Sequence, residues 1–512
     1  MTAYKEKIQK GIGTLSEIWK DTEKHHKAEW IVLGAILLYC YLTMCYRDIV
    51  QTMYDAYHMW DFIFSADIFY LGNWISSTAY GFSFFVVFGV GMFPVWLISK
   101  LLPLQVLAQS MGITSDIARQ DIVTTMGAIL WMKLYLMVFV VLVLRELKTV
   151  AGLVGIDKKR QNWLVFFYLS SLCVVLPVFH IAQYDIISSY FTLMGVRYFL
   201  ENKNKGFFIA FAIAMPMKWF AVYVFLPLVL IRYKNVFRIG ISCLLGGCGV
   251  LFDKIVLGRL LPMIGHALGI GHGTPQYSSI LRMSEMLASN GSEASAIESL
   301  QESMTIMESY MLRNMVRVGE FYASVFILVF ALICIAAYLT KRGEGEEDNR
   351  KIMYLLFLSM LSFFLFSYSW NSYWLILLAP YLMLCVFMNE RLLAVNCILE
   401  LVFSAGLVIQ KMIIQHWVFG GGFTYTFLVF KHMRQRTMDT YYLLDKFGFV
   451  KYQTVIYAFA VACGIALAVV NLPALRMNER APEIRFGRGL LWARMAVLLI
   501  FIAAGIDCVF FE

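Results

Sequence analysis

Long apolar runs recur along the whole chain, separated by short polar segments. Each is about as long as the 18 or more residues that a helix needs to cross the hydrocarbon core of a bilayer. Peaks fall near 30–46, 79–100, 124–145, 163–179, 184–200, 206–231, 237–257, 319–340, 352–369, 373–389, 392–410, 453–472 and 490–511, with a weaker one at 415–430. In lipid such runs form helices, because a helix satisfies the hydrogen bonds of its own backbone N–H and C=O groups. The pattern predicts an all-α polytopic membrane protein with about 11–14 transmembrane helices.

The composition agrees with this class. Hydrophobic residues make up 60% of the 512 residues and charged residues only 15%, where a soluble chain carries roughly a quarter. The net charge of +9 comes from basic residues near the ends of apolar runs, so it indicates a lipid bilayer and no nucleic-acid partner. None of the ten cysteines belongs to a CxxC pair, and the sequence therefore predicts neither a disulfide framework nor a protein metal centre.

The distribution of charge predicts the orientation. Residues 1–28 carry six lysines and are expected in the cytoplasm, which makes the chain a multi-pass protein of the cell (inner) membrane. The loop 47–78 holds four aspartates and one basic residue, and is expected outside. A second external loop, 259–318, has the spacing of amphipathic helices that lie along the membrane interface.

The apolar run 206–231 has basic flanks on both sides, yet it is long enough for only one crossing. A hairpin of two short helices resolves this conflict. Pro216 removes a backbone hydrogen bond and supplies the break. Lys218 then lies at the tip, near the external ends of the other helices.

Several polar side chains stand where apolar runs end. Asp48 directly follows the first run, at a membrane boundary where a carboxylate can take a proton from a hydroxyl. His180, Gln183 and Asp185 follow the run 163–179, which the basic segment before it orients outward. Simpler interpretations remain open. His180 is also typical of a packing residue, and the Gln183–Asp185 pair of a helix cap.

The other candidates also have two interpretations. Asp55 and Asp61 belong to the same predicted external loop as Asp48. They are interpreted either as substrate-binding acids or as ordinary solvated acids. Asp55 shares a face with Asp48 if the stretch is helical. Lys218 is costly inside an apolar run unless it meets water or an anion, so it is either a phosphate ligand or a lysine that snorkels to the interface.

Four of these elements, taken in order, resemble the GT-C glycosyltransferases, the multi-span enzymes that take sugars from polyprenyl-phosphate carriers. They are YRDIV with Asp48, QYD at 183–185, AMPMKWF with Lys218, and SYSWNSYWLILLAPYLML at 367–384, and together they span roughly residues 30–390. The resemblance implies a catalytic module at 29–390, followed by C-terminal transmembrane helices at 391–512.

The resemblance also implies a function: transfer of a sugar from a polyprenyl-phosphate donor to a glycan or lipid acceptor of the cell envelope, on the external face. Asp48 is then the general base. Asp55, Asp61, His180, Gln183, Tyr184, Asp185, Lys218, Trp370 and Tyr373 are expected to bind donor or acceptor. A cofactor is not required, but some members of the class use a divalent ion, so Mg²⁺ or Mn²⁺ held by Asp48 and Asp55 is a further expectation.

Two other functions fit the pattern. An envelope polysaccharide polymerase or ligase has similar span counts and a large external loop, although the loop 259–318 holds only four arginines. A flippase or transporter of lipid-linked sugars is favoured by charges deep within spans, for which Lys133, Lys218 and Arg494 are the candidates.

Overall fold

The fold is known from a computed structural model. It describes residues 26–64, 80–101, 125–260, 263–264, 315–318, 321–367, 370–415, 418, 440–472 and 488–510. Three sequence-based predictions fall outside this part of the chain: the cytoplasmic segment before residue 26, the amphipathic helices of the loop 259–318, and the weak apolar peak at 415–430.

The described residues are overwhelmingly helical. In chain order the helices are α1 (Lys27–Thr43), α2 (Arg47–Phe64), α3 (Phe82–Leu101), α4 (Met126–Leu153), α5 (Lys158–Leu169), α6 (Leu172–His180), α7 (Asp185–Leu200), α8 (Asn204–Met217), α9 (Val222–Arg232), α10 (Val236–Gly246), α11 (Cys248–Leu251, continued by a π-helical stretch Phe252–Leu260), α12 (Val325–Leu339), α13 (Glu346–Phe366), α14 (Leu375–Met388), α15 (Leu393–Ile414), α16 (Thr440–Lys446), α17 (Gln453–Val470) and α18 (Arg488–Phe510).

Within the described ranges, five helices are long and apolar enough to cross a membrane, or up to eight if each of three bent pairs is one span. The bent pairs are α1 with α2, α5 with α6, and α10 with α11. Shorter apolar helices add to these, and one of them, α14, is buried along its whole length at the centre of the bundle. An all-α polytopic membrane protein is the class these helices define.

The predicted hairpin forms in the segment 204–232. Helix α8 ends at Met217, Lys218 is extended (φ −158°, ψ 119°), and α9 follows after a short 3₁₀ turn. Arg232, at the end of α9, bonds the Asn204 side chain at the start of α8, so both ends of the hairpin lie on one side. We call the end of the bundle that holds Lys218 the site end, and the end that holds Arg232 the opposite end.

Two apolar peaks are less regular than the sequence predicts. The run 163–179 is broken between α5 and α6, where Ser171 caps the new helix by accepting from the Cys173 backbone N–H at 3.2 Å. The run 319–340 becomes helical only at Val325, because two short antiparallel strands precede it, β1 (Met315–Val318) and β2 (Phe321–Ser324). The aromatic residues Phe321 and Tyr322, which begin β2, are of the kind that strands favour.

Candidate functional site

The Asp48 segment and the 180–185 segment meet at the site end. The backbone N–H of Tyr46 donates to the Ile181 carbonyl at 3.0 Å. The fully buried Lys133 ammonium donates to the carbonyls of Cys40, Tyr41 and Met44 at the end of α1, where a helix has more carbonyls than N–H groups to pair with them. A lysine that sequence analysis considered for transport therefore holds the end of the helix that leads to Asp48.

Four side chains form what we call the lysine–tyrosine cluster: Tyr80, Tyr184, Asp185 and Lys218. The Lys218 ammonium lies 3.1 Å from the Asp185 carboxylate, and both side chains are buried. The hydroxyl of Tyr80 accepts from Tyr184 at 2.7 Å and from the Lys218 ammonium at 3.4 Å. The hairpin tip and the start of α7 thus meet, as their positions at the ends of apolar runs predicted.

Some polar atoms in and beside this cluster lack hydrogen-bond partners among the described residues. The ion pair of Asp185 is close, but neither of its carboxylate oxygens makes a hydrogen bond of good geometry with the described residues. Gln183 is 1% exposed. Neither its amide nitrogen nor its amide oxygen has a hydrogen-bond partner among the described residues. Buried polar groups are nearly always satisfied, so these atoms are suited to bind a ligand.

Aromatic side chains border the cluster on the side of α14. A 3₁₀ turn at Ser372–Trp374 places the Trp374 ring 5.3 Å from the Lys218 ammonium. Tyr373 accepts a hydrogen bond from the Asn371 amide at 2.7 Å. Asp48 is half-buried and close enough to Tyr80, Tyr184 and Tyr373 to interact with each electrostatically. Predicted site residues from four distant parts of the chain therefore lie together.

Tyr80 is held in place by a residue far away in sequence. Asp253 accepts from the backbone N–H of Ser83 at 3.1 Å and from its hydroxyl at 2.9 Å, which caps the start of α3 directly after Tyr80. A Cβ at Gly81 would come within 2.2 Å of the Asp253 carboxylate, so a side chain at position 81 would displace this cap. Tyr80 precedes the spanning helix, and burial, followed by the charge of Asp185, raises its pKa. Its phenol therefore stays protonated.

Trp370 lies at the contact between the segment 370–374 and the end of α15. Its ring lies under the Lys411 ammonium of α15, 3.9 Å from the ring centroid. The Gln415 amide donates to the Trp370 carbonyl at 2.9 Å and to the Asn371 side chain at 3.1 Å, and its oxygen accepts from the Ser372 N–H at 2.9 Å. The end of α15 thereby fixes the segment that carries Tyr373 and Trp374.

Three predicted residues lie apart from the cluster. Asp61 is 13 positions after Asp48 on α2, about 20 Å along the helix axis, and pairs with Lys100 at 2.8 Å. Asp55 accepts from Gln51 at 3.3 Å, one helical turn away. His180 is buried and lines an apolar cleft between α6 and α18, together with Leu176.

The expected divalent ion does not fit the carboxylates proposed to hold it. Asp48 and Asp55 are seven residues apart on one helix, about 10 Å along its axis, whereas carboxylate oxygens must lie within about 2.6 Å of one ion. The residues that the structure describes contain no group of three or more His, Cys, Asp or Glu side chains arranged to hold a metal.

Several residues of this region were not predicted from sequence. Tyr80, Trp374, Asn371, Gln415 and Asp253 are ordinary residues at the ends of apolar runs, and only the fold brings them together. Lys411 had a weak signal as the one basic residue in the sequence 392–414, but the predicted span ended at 410. Comparison with known proteins adds no assignment, since the chain matches no protein-family model and no curated protein.

Proposed function

We propose that this chain is a membrane glycosyltransferase of the GT-C type. It transfers a sugar from a polyprenyl-phosphate donor to a glycan or lipid acceptor of the cell envelope. The observation that supports this most is the meeting of Asp48, Tyr184, Asp185 and Lys218 at one end of the bundle. In the sequence these residues belong to three separate elements of the resemblance, and nothing in the spacing alone requires them to be neighbours.

The side chains present have the chemistry that this reaction needs. Asp48 takes the proton of the acceptor hydroxyl, whose oxygen forms the new bond to the anomeric carbon of the sugar. The bond from that carbon to the phosphate oxygen breaks, and the polyprenyl phosphate leaves with the electron pair. The Trp374 ring offers an apolar wall for a sugar ring, and the Gln183 amide, to which the described residues supply no hydrogen-bond partner, can bond a sugar hydroxyl.

The direct test measures donor class. Purified full-length protein in nanodiscs is supplied with radiolabelled polyprenyl-phosphate sugars or with nucleotide sugars, plus an envelope lipid extract as acceptor. We expect transfer from the polyprenyl-phosphate donors alone. Transfer from nucleotide sugars only would contradict the proposed donor.

The base is tested by substitution. Asp48→Asn keeps shape but cannot accept a proton, so we expect turnover to fall by roughly 10²–10⁴-fold with substrate binding nearly unchanged. Asp61→Asn is the matched control, because Asp61 lies on the same helix but pairs with Lys100 far from the cluster. Near-full turnover of Asp48→Asn would refute the mechanism, and a loss in Asp61→Asn instead would move the base along α2.

The proposed orientation places the site end outside the cell membrane. We expect a cysteine at Gln51, which is exposed on α2, to react with an impermeant thiol reagent in intact cells. A cysteine at Glu347, which is exposed near the opposite end, should react only after lysis. Labelling in the reverse order would show that the site faces the cytoplasm.

A further inference from the structure

Lys411 is a buried cation outside the lysine–tyrosine cluster. It lies on α15 one turn before the helix ends, and is 3% exposed. Among the described residues its ammonium makes no ion pair and no hydrogen bond, and its close neighbour is the Trp370 ring. Two other buried cations, Lys218 and Arg494, each pair with a carboxylate.

Such an ammonium needs compensation from elsewhere. Removing a charge from water costs much more free energy than one aromatic face returns. In membrane proteins, charged residues are therefore expected to pair or to mark the path of an ion or substrate. Since the described residues supply no anion to Lys411, a bound ligand is the natural source of the negative charge.

The location of Lys411 connects it to the lysine–tyrosine cluster. Gln415, one turn further on, bonds the backbone or side chains of the segment 370–372. Asn371 in that segment donates to the hydroxyl of Tyr373, which interacts with Asp48 and Asp185. Lys411 therefore lies on the same helix end as Gln415, beside the segment 370–372 that carries Asn371 and precedes Tyr373.

The charge balance of the cluster indicates the ligand. Lys218 is already paired with Asp185, so its positive charge is offset, and Asp48 adds a further negative charge. A phosphate entering this region needs another cation. We propose that Lys411 binds the phosphate group of a lipid phosphate and holds it beside Trp370. The identity of this lipid as the sugar carrier rests on the proposed function. The anion site itself is inferred from Lys411 and does not depend on that function.

Binding tests this assignment without requiring turnover. Purified full-length protein in nanodiscs of neutral lipid is titrated with farnesyl phosphate, farnesol, phosphatidic acid and inorganic phosphate, and the melting temperature is followed. We expect farnesyl phosphate to stabilise the wild-type protein and farnesol to have no effect. Lys411→Met should weaken farnesyl phosphate binding by about tenfold or more, while Lys411→Arg keeps most of it.

The control is a lysine in a similar local setting. Lys451 also lies beside an aromatic ring, with its ammonium 5.8 Å from the Tyr452 centroid, but it is exposed. Lys451→Met should therefore bind farnesyl phosphate as the wild type does. Without ligand, Lys411→Met should melt at a higher temperature than the wild type, because an uncompensated buried charge is gone. A lower melting temperature would show that Lys411 is structural and overturn the proposal.

The ligands separate the possible outcomes. Equal binding of farnesyl phosphate by Lys411→Met and wild type would overturn the role of Lys411, even if sugar transfer from polyprenyl-phosphate donors is observed. A Lys411-dependent effect of phosphatidic acid but not of farnesyl phosphate would keep the anion site and reject the sugar carrier as its ligand. Stabilisation by inorganic phosphate alone would reject a lipid phosphate altogether.

Discussion

Two buried ion pairs in this protein differ in how completely their atoms are satisfied. Arg494 of α18 contacts Glu400 of α15 and also donates to the Ser170 hydroxyl and the Phe167 carbonyl, each at 3.0 Å. The second oxygen of Glu400 accepts from Ser171 at 2.6 Å. Every group of this pair has a partner, and the pair closes the break between α5 and α6.

The pair of Lys218 and Asp185 is unlike it. The Lys218 ammonium donates to the Tyr80 hydroxyl and forms an ion pair with Asp185, but neither carboxylate oxygen of Asp185 makes a hydrogen bond of good geometry with the described residues. The Gln183 amide beside it likewise has no hydrogen-bond partner in the part of the chain that the structure describes. Burying such groups costs free energy, which a protein tolerates where function requires it. The first pair is therefore a structural link, and the second has the unsatisfied polar atoms that the proposed binding site would use.

The largest effect is expected from breaking the closed pair. Arg494→Met leaves the Glu400 carboxylate buried without a counter-charge, so we expect a loss of about 3–5 kcal/mol in the free energy of unfolding. Denaturant titration of the purified protein measures it. The double variant Arg494→Met/Glu400→Met should recover most of this loss, because no charge then remains. If the single variant were as stable as the wild type, the pair would not be a structural link.

This contrast also shows what the sequence could reveal. Asp48, Gln183, Asp185 and Lys218 were found because polar residues at the ends of apolar runs are conspicuous, and the Lys218 hairpin followed from charge on both its flanks. The helical class followed from hydrophobicity alone. These are local signals, and each depends only on neighbouring residues.

Contacts between distant segments could not be predicted in the same way. Lys133 and Arg494 look like functional charges in sequence, but the fold gives them carbonyl and carboxylate partners 89 or more residues away. Tyr80, in contrast, does not look like a functional residue in the sequence. Its position depends on a contact between distant segments, since Asp253 bonds Ser83, 170 residues away, and so fixes the start of α3. Whether a charge is structural or functional depends on such partners.

A pair of uncharged substitutions sharpens the comparison. Gln183→Leu removes an unsatisfied buried amide, so stability should rise by about 1–3 kcal/mol while sugar transfer falls. Ser171→Ala removes a satisfied hydroxyl from the closed pair, and should lower stability by a similar amount without affecting transfer by the folded protein. Melting temperature and turnover of both variants are compared. A loss of stability in Gln183→Leu would mean that the amide has a structural partner.

The smallest effect on stability is expected at the cap that positions Tyr80. Asp253→Ala removes the side chain that satisfies the start of α3, which should cost about 1 kcal/mol. Asp157→Ala is the matched control, since Asp157 caps α5 near the opposite end, accepting from the Arg160 N–H at 2.9 Å. Both variants should melt at slightly lower temperatures, but only Asp253→Ala should lose turnover, because Tyr80 then shifts relative to Lys218 and Tyr184.

Tyr80→Phe should reproduce that loss of turnover with almost no change in stability, because it deletes only the hydroxyl that Tyr184 and Lys218 bond. Equal turnover of Asp253→Ala and Asp157→Ala would separate the cap from the site, and full turnover of Tyr80→Phe would remove Tyr80 from the functional cluster.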